Sequence, residues 1–489
     1  MNLSKSLITA YKWNVVGNIA IRSLSVVSTL VLVRVLSPED FGIMAMATIF
    51  IGFFQMLSNA SVNRYLILLE RPSKEDYDAA WTLTIILRFI SMSILFALSS
   101  TIAKYMTTPE LTLVLQIICF VYFLAAFMSP GMIKLERDIN FKALNKIAVI
   151  AKLSATIITV YFAIKLESYF ALIIGESVLI SATLILSYVI CTHKPALNFS
   201  FDPKMFQFAS YIFLRNLVGY SRSKVDAFIV GKLFGNDVLG GFTVARQFAI
   251  MPQDEIFGPA MQPAYAALSQ LKNNIAQFDA KLYQALFIGY SLLIPSAFGL
   301  LYCAENFVAV VLGAQWIAVA EYIGLIAFLM LPFYTQPILN IAYDSRQKSK
   351  YSIVPDILAL TFMILAIYYF IPQSIVTFVD LRLVVGLLTL LILFIAAKLF
   401  LGLQLRLLLI TLAPAALCSI VMFAFLNLMT IDTSVQTIDL IIEISLGFAS
   451  YSLCYYLMFA VLIKLWPGSF VTRLIPNALY NLLPNNKQR

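Results

Sequence analysis

Cationic and acidic side chains recur inside apolar runs of this chain, where chemistry is expensive to place. Arg215, Arg222, Lys224 and Asp226 fall in one such run, and Arg246, Asp254 and Glu255 in the next, beyond a turn at Gly235-Asn236-Asp237. Asn14, Asn18, Arg22, Ser25 and Thr29 fall at spacings of three and four, so they share one face of a helix. Arg215, Gly219, Arg222 and Asp226 do the same. A charge at bilayer depth costs a few kcal/mol on insertion scales, so such groups face a polar cavity, a partner or a ligand. Guanidinium groups grip phosphate or pyrophosphate by two parallel hydrogen bonds, which makes an anion site the expected chemistry. Arg22, Asn18, Arg215, Asn216, Arg222, Lys224 and Arg246 are its candidate residues. Internal pairing is the competing role: Arg222 with Asp226 at i,i+4, and Arg246 with Asp254 across helices. Glu176, Asp226, Asp254 and Glu255 are candidates for ion coupling, since an intramembrane carboxylate carries a proton or a sodium ion. Arg64, Arg88 and Lys152 read as snorkelling residues near helix ends, as do Arg34 and Lys232.

The elements that hold these residues are membrane helices. Of 489 residues 61% are hydrophobic and 12% charged, against about 25% charged in soluble domains. The apolar runs are ~20 residues long, which excludes a transmembrane barrel with its ~10-residue alternating strands. About fourteen spans result, the first covering 12–36, the seventh and eighth 205–234 and 238–269, and the last 438–465. No cleavable leader is evident, because the run from Trp13 to Leu36 is too long for one. Pro252, Pro259 and Pro263 interrupt the eighth span, where Gln253 and Gln262 also lie, and Pro295, Pro332 and Pro337 supply kinks further on.

Loops alternate in charge. Arg71 and Lys74, then Lys134 to Lys146, Lys194 and Lys204, Lys272 and Lys281, Arg346 to Lys350, and Lys398 and Arg406 lie on one side. Short, base-poor turns lie opposite, among them Ser37 to Asp40, the Asp380-Arg382 turn and Asp432 to Asp439. The positive-inside rule places both termini in the cytoplasm. These loop bases therefore account for most of the net charge of +9, which is not gathered in a nucleic-acid patch.

Catalytic and metal sets are missing. There is no GxxxxGK[ST] loop for nucleotide. The five cysteines read as small buried hydrophobes, without a CxxC pair, and the one histidine, His193, reads as a solvated loop residue. Every loop is shorter than ~20 residues, so an enzyme domain outside the membrane has no room. No cofactor, metal or enzymatic activity is expected.

A repeat runs at an offset of 198 residues: Asn18 matches Asn216, Ser23 matches Ser221, Ser25 matches Ser223, Gly42 matches Gly240 and Gln55 matches Gln253. Six spans separate the copies, so both enter from one side. The predicted architecture is all-α and polytopic. A six-helix lobe over 1–200 and a second over 201–400 are related by a pseudo-twofold along the membrane normal, with two extra helices and a cytoplasmic tail over 401–489.

Val33-Arg34-Val35-Leu36-Ser37-Pro38-Glu39-Asp40-Phe41-Gly42 resembles the turn after the first helix in the polysaccharide flippases of the multidrug/oligosaccharidyl-lipid/polysaccharide exporter superfamily. Gly231-Lys232-Leu233-Phe234-Gly235 resembles the matching turn of their second half. Met251-Pro252 with Pro259-Ala260, and Gly313-Ala314-Gln315-Trp316, are similar to segments of the capsule, colanic-acid and lipopolysaccharide subgroup. Pro259 to Pro263 departs from the aromatic-Pro-Ala run usual there. The resemblance implies a flippase of the bacterial inner membrane that moves undecaprenyl-pyrophosphate-linked oligosaccharide by alternating access through a cationic central cavity. Its implied partners are that lipid-linked oligosaccharide, membrane lipids and polysaccharide-assembly proteins. An ion-coupled exporter of a small amphipathic compound in the same fold is the alternative. It would favour acids over bases in the cavity.

Overall fold

The computed structural model describes residues 3–58, 66–67, 69, 72–201, 203–258, 264, 268, 270–271, 274–429, 431, 433, 435–465 and 474. Side chains of 3–12 and 203–215 are outside that set, as are Arg64, Arg71, Pro259, Gln262, Pro263, Lys272 and Asp432. Among the described residues all regular structure is helical, and thirteen helices are long and apolar enough to cross a membrane. One of these, Gly219–Phe257, contains Gly235 at φ 85°. Two helices meet there, so the sequence count of about fourteen spans divides as one that the structure runs together. The chain forms two compact units, Met1–Thr243 and Val244–Arg489.

The first unit contains α1 (Leu3–Val35), α2 (Pro38–Ser58), α3 (Lys74–Tyr105), α4 (Glu110–Leu124), the short α5 (Gly131–Arg137), α6 (Phe141–Leu166), α7 (Phe170–Ile190) and most of α8 (Pro203–Pro252). In α6, Ile147, Ala151, Ala155, Thr159 and Ala163 recur every fourth residue and are all buried. Small side chains at that spacing let backbones approach, the usual basis of helix packing in lipid. Gly175 of α7 meets this stripe: a β-carbon there would overlap Thr159.

The turn into α2 explains the motif at its start. The Ser37 amide donates to Asp40 Oδ2 at 3.0 Å and the Asp40 amide to Ser37 Oγ at 3.2 Å, a reciprocal cap with Pro38 at the first helical position. Asp40 Oδ1 also accepts from the Tyr169 amide at 2.7 Å, tying this turn to the start of α7. Two residues on, Gly42 lies against the Asn236 carbonyl, while Gly240 lies against the Pro38 carbonyl. Gly42 and Gly240 differ by the repeat offset, and so do Pro38 and Asn236. Residue i on j′ together with i′ on j is the pattern of a contact on a twofold axis. Asn236 Nδ2 also donates to Thr108 Oγ1 at 2.9 Å, and Lys232 donates to the Tyr105 carbonyl with its ammonium 4.1 Å over the Tyr105 ring. Lys232 is therefore held by protein and does not simply snorkel.

The second unit contains α9 (Ile275–Tyr302), α10 (Ala304–Phe307), α11 (Ala320–Ala327), α12 (Met330–Ser345), α13 (Ile353–Phe370), α14 (Ile375–Ala396), α15 (Leu405–Leu428) and α16 (Gln436–Leu465). Tyrosine hydroxyls cross-link it: Tyr290 to Thr335 at 2.5 Å, Tyr334 to the Ala285 carbonyl at 2.7 Å, and Tyr451 to the Ser291 carbonyl at 2.8 Å. A phenol buried in a bundle needs such a partner, and these have one. Gly313, at φ 112°, opens a short helical turn that buries Trp316 to 1% exposure, which accounts for the Gly-x-x-Trp pattern.

The histidine expected in solvent is not there. The segment after α7 folds back over the start of α3, and His193 Nε2 lies 2.9 Å from Asp78 Oδ1 with its side chain 11% exposed. Asn198 continues the strap, its amide donating to Thr82 Oγ1 at 2.9 Å. All five cysteines are free thiols, four of them buried, and burial raises the Cys191 thiol so that it stays protonated.

Candidate functional site

On α1, Asn18 is exposed and donates to Asn14 Oδ1 at 3.2 Å, so the expected polar face exists. Ser25 on that face is engaged with its own helix, donating to the Ile21 carbonyl at 2.9 Å. Arg22 is half-buried on the same face. On α8, Asn216 is exposed, Arg222 and Lys224 are half-buried, and Asp226 is 1% exposed. The backbone of Arg215 is in α8 and its side chain is outside the described set.

Glu176 of α7 accepts a hydrogen bond from the Tyr122 hydroxyl of α4 at 2.5 Å. Gln55 of α2 hydrogen-bonds the same phenol, and Arg88 of α3 lies within electrostatic reach of it. Four helices each send one polar side chain to this point inside the first unit. Arg88 thus faces the bundle and does not snorkel. The spacing of apolar residues misses it because most of α3 is apolar around its circumference. Tyr122→Phe removes a part-buried bond to a carboxyl, worth about 1 kcal/mol. Purified Y122F should therefore melt below the wild type, by about one or two degrees, and an unchanged melting temperature would discount the bond.

In the second unit, Arg246 is half-buried with its guanidinium carbon 5.4 Å from the centroid of Phe333. Arg382 approaches the same ring at 5.9 Å and is 9% exposed. The sequence assigns Arg382 to an outer turn with Asp380. The turn lies earlier, where Ser374 and Thr377 cap α14, and that start carries Arg382 two turns into the bundle. Asp254, exposed, and Glu255, half-buried, lie on a wide helical turn, Gln253–Phe257, which follows Pro252. Phe257 at its end packs on Tyr334 with ring centroids 4.7 Å apart. On α12 the buried Gln336 donates to Asp356 of α13. Among the described residues no three His, Cys, Asp or Glu side chains stand together as a metal site.

The profile of the polysaccharide biosynthesis protein family matches residues 31–321. A lipopolysaccharide biosynthesis protein of Escherichia coli is 19% identical over 68% of each chain. A succinoglycan biosynthesis transport protein of Rhizobium meliloti is 22% identical over 64% of each. Among solved structures, a lipid II flippase in an inward closed conformation superposes with a TM-score of 0.74 over 92% of this chain and 100% of that one, at 14% identity. At that identity the last likeness concerns the fold.

Proposed function

The chain belongs to the polysaccharide biosynthesis protein family, and on that premise we propose that it translocates an undecaprenyl-pyrophosphate-linked oligosaccharide across the bacterial cytoplasmic membrane for surface polysaccharide assembly. It is a multi-pass membrane protein. The base-rich loops favour cytoplasmic termini. The observation that carries the reading is the family match, joined to guanidinium groups kept inside apolar helices on both sides of the Gly235 break: Arg22 and Arg222 before it, Arg246 and Arg382 after it. A diphosphate head group carries the charge that such side chains bind. Arg22, Asn18, Arg215, Asn216, Arg222, Lys224 and Arg246 hold the diphosphate and sugars in turn, while the lipid tail stays among acyl chains. Asp226, Asp254, Glu255 and Glu176 remain the candidates for coupling to an ion. The segments 1–200 and 201–400 are duplicated six-helix lobes, a reading that the reciprocal Gly42–Asn236 and Gly240–Pro38 contacts support, with 401–489 added.

The test is to replace Arg22, Arg215, Arg222 and Arg246 singly by Ala, then measure surface glycan, lipid-linked precursor and protein level. At least two variants should lose glycan and accumulate precursor at normal protein level, each by tenfold or more, the equivalent of about 1.4 kcal/mol. Normal glycan from all four would leave export of a small amphipathic compound as the better reading.

A further inference from the structure

The last helix carries a carboxyl whose surroundings suit a proton and little else. Glu443 of α16 is 7% exposed. Asn306 of α10 donates to its Oε1 at 2.8 Å, and its Oε2 is buried with no hydrogen-bond partner among the described residues. One turn earlier Asp439 is 6% exposed but well supplied: its Oδ1 accepts from the Thr433 amide at 2.9 Å and the Thr433 hydroxyl at 2.7 Å. Asp439 also lies in the first turn of α16, where the helix dipole favours negative charge.

The groups facing Glu443 are all acidic or neutral. Tyr302 and Cys303, at the end of α9, lie within electrostatic reach of it, and burial first, then Glu443, pushes the Cys303 thiol up to about 12. Glu305 of α10 is exposed. The segment Val308–Leu312 has no ionisable residue, and α15 has only Arg406 and Cys418, both in its first fourteen residues, away from the α15 end that meets Tyr302. No base among the described residues faces Glu443.

An ionised carboxylate with a dry, unpartnered oxygen costs far more than the ~1–3 kcal/mol of an unsatisfied neutral group, so the carboxyl neutralises instead. A metal ion fits less well, because hard cations take about six oxygens and among the described residues no three His, Cys, Asp or Glu side chains stand together. Neighbouring acids pushed apart by their environments take opposite protonation states.

We propose that Glu443 is a proton-binding site that seats the last helix on the Ala304–Phe307 turn. The proton sits on Oε2. When the Asn306–Glu443 contact opens to water, the O–H bond breaks, the proton passes to water and the carboxylate is left hydrated, so opening and proton release are one event. Its use in a transport cycle rests on the flippase reading; the site itself does not.

Infrared spectroscopy of the purified full chain in lipid nanodiscs tests it without reference to transport. The wild type at neutral pH should show a carboxylic-acid carbonyl band that E443Q lacks. In Asp439→Asn the band should persist but vanish at a lower pH than in the wild type, because a neighbouring negative charge has been removed. Melting temperature should fall with rising pH in the wild type and stay flat in E443Q over the same range. Superimposable wild-type and E443Q spectra at neutral pH would overturn the proposal. Were E443Q not to fold, Asn306→Leu would serve: it keeps the carboxyl, removes the donor to Oε1 and should move the band, and an unmoved band overturns the proposal equally.

Discussion

Gly42→Val and Gly240→Val should each abolish surface polysaccharide, and Gly240→Ala should already cut it severely. A β-carbon on Gly240 would overlap the Pro38 carbonyl, and one on Gly42 the Asn236 carbonyl. Both obstacles are backbone, so no rotamer change relieves them and the helices must separate. Overpacking of side chains typically costs about 1–3 kcal/mol, and a backbone overlap belongs at or above the top of that range. About 3 kcal/mol is roughly a 150-fold shift in an equilibrium. The crossing also holds the Asn236–Thr108 pair, which would part with it. Three other glycines make the result interpretable. Among the described residues nothing lies within 4 Å of a β-carbon on Gly219, so Gly219→Ala should be neutral or slightly stabilising. At Gly231 the obstacles are side-chain ends, the Met46 methyl and Leu239 Cδ2, and not backbone, so Gly231→Ala should cost less than Gly240→Ala. Gly299 is open in the same way as Gly219. Glycan staining in cells and melting of purified protein read the series. Wild-type values for both valine variants would show that this close crossing is dispensable.

What the sequence could and could not disclose follows from where each signal resides. Spans were legible because ~20 apolar residues in a row have few other uses. The Ser37-Pro38-Glu39-Asp40 turn was legible as a short base-poor loop, while the reciprocal cap that Ser37 and Asp40 form there is a finding of the structure. The placement of single charges was not. Arg88 and Arg382 sit in helices whose apolar residues cover most of the circumference, so nothing in the spacing indicates which side faces the bundle. The seat of His193 is hidden from the sequence for a similar reason: its partner Asp78 is more than a hundred positions away, and only the fold brings the two to 2.9 Å. The wide turns Val308–Leu312 and Ala397–Leu401 are marked in sequence only by the glycine that ends each, and Gln253–Phe257 only by the Pro252 before it, so their width is not legible. Glu443 and Asp439 share a helix face by spacing, yet their separate roles depend on Asn306 and Thr433, which the spacing does not reveal.

Arg246→Ala and Arg382→Ala should each reduce export at least tenfold, and the double variant should be little worse than either alone. Two guanidinium groups on one phenyl ring lie at most about 11 Å apart, which at an effective dielectric of 20 is at least ~1.5 kcal/mol of mutual repulsion. A cation on an aromatic face recovers roughly 0.5–2 kcal/mol, which offsets part of that repulsion. An anion with two charges gives each guanidinium a charge-assisted bond, and that attraction outweighs the repulsion, which persists. On this account Phe333 is a spacer that keeps both groups in register. Phe333→Leu should weaken export by about 2- to 30-fold, the range of one cation–π contact. Arg382→Lys should fail nearly as badly as Arg382→Ala, because an ammonium keeps the charge but loses the planar fork that stacks on the ring. Binding of inorganic pyrophosphate to purified protein, read as a rise in melting temperature, separates ligand loss from misfolding. Residues serving one ligand couple, while independent structural residues add. Strict additivity of the two alanine variants, in export and in pyrophosphate binding, would mean that Arg382 supports the bundle without touching the substrate's charge.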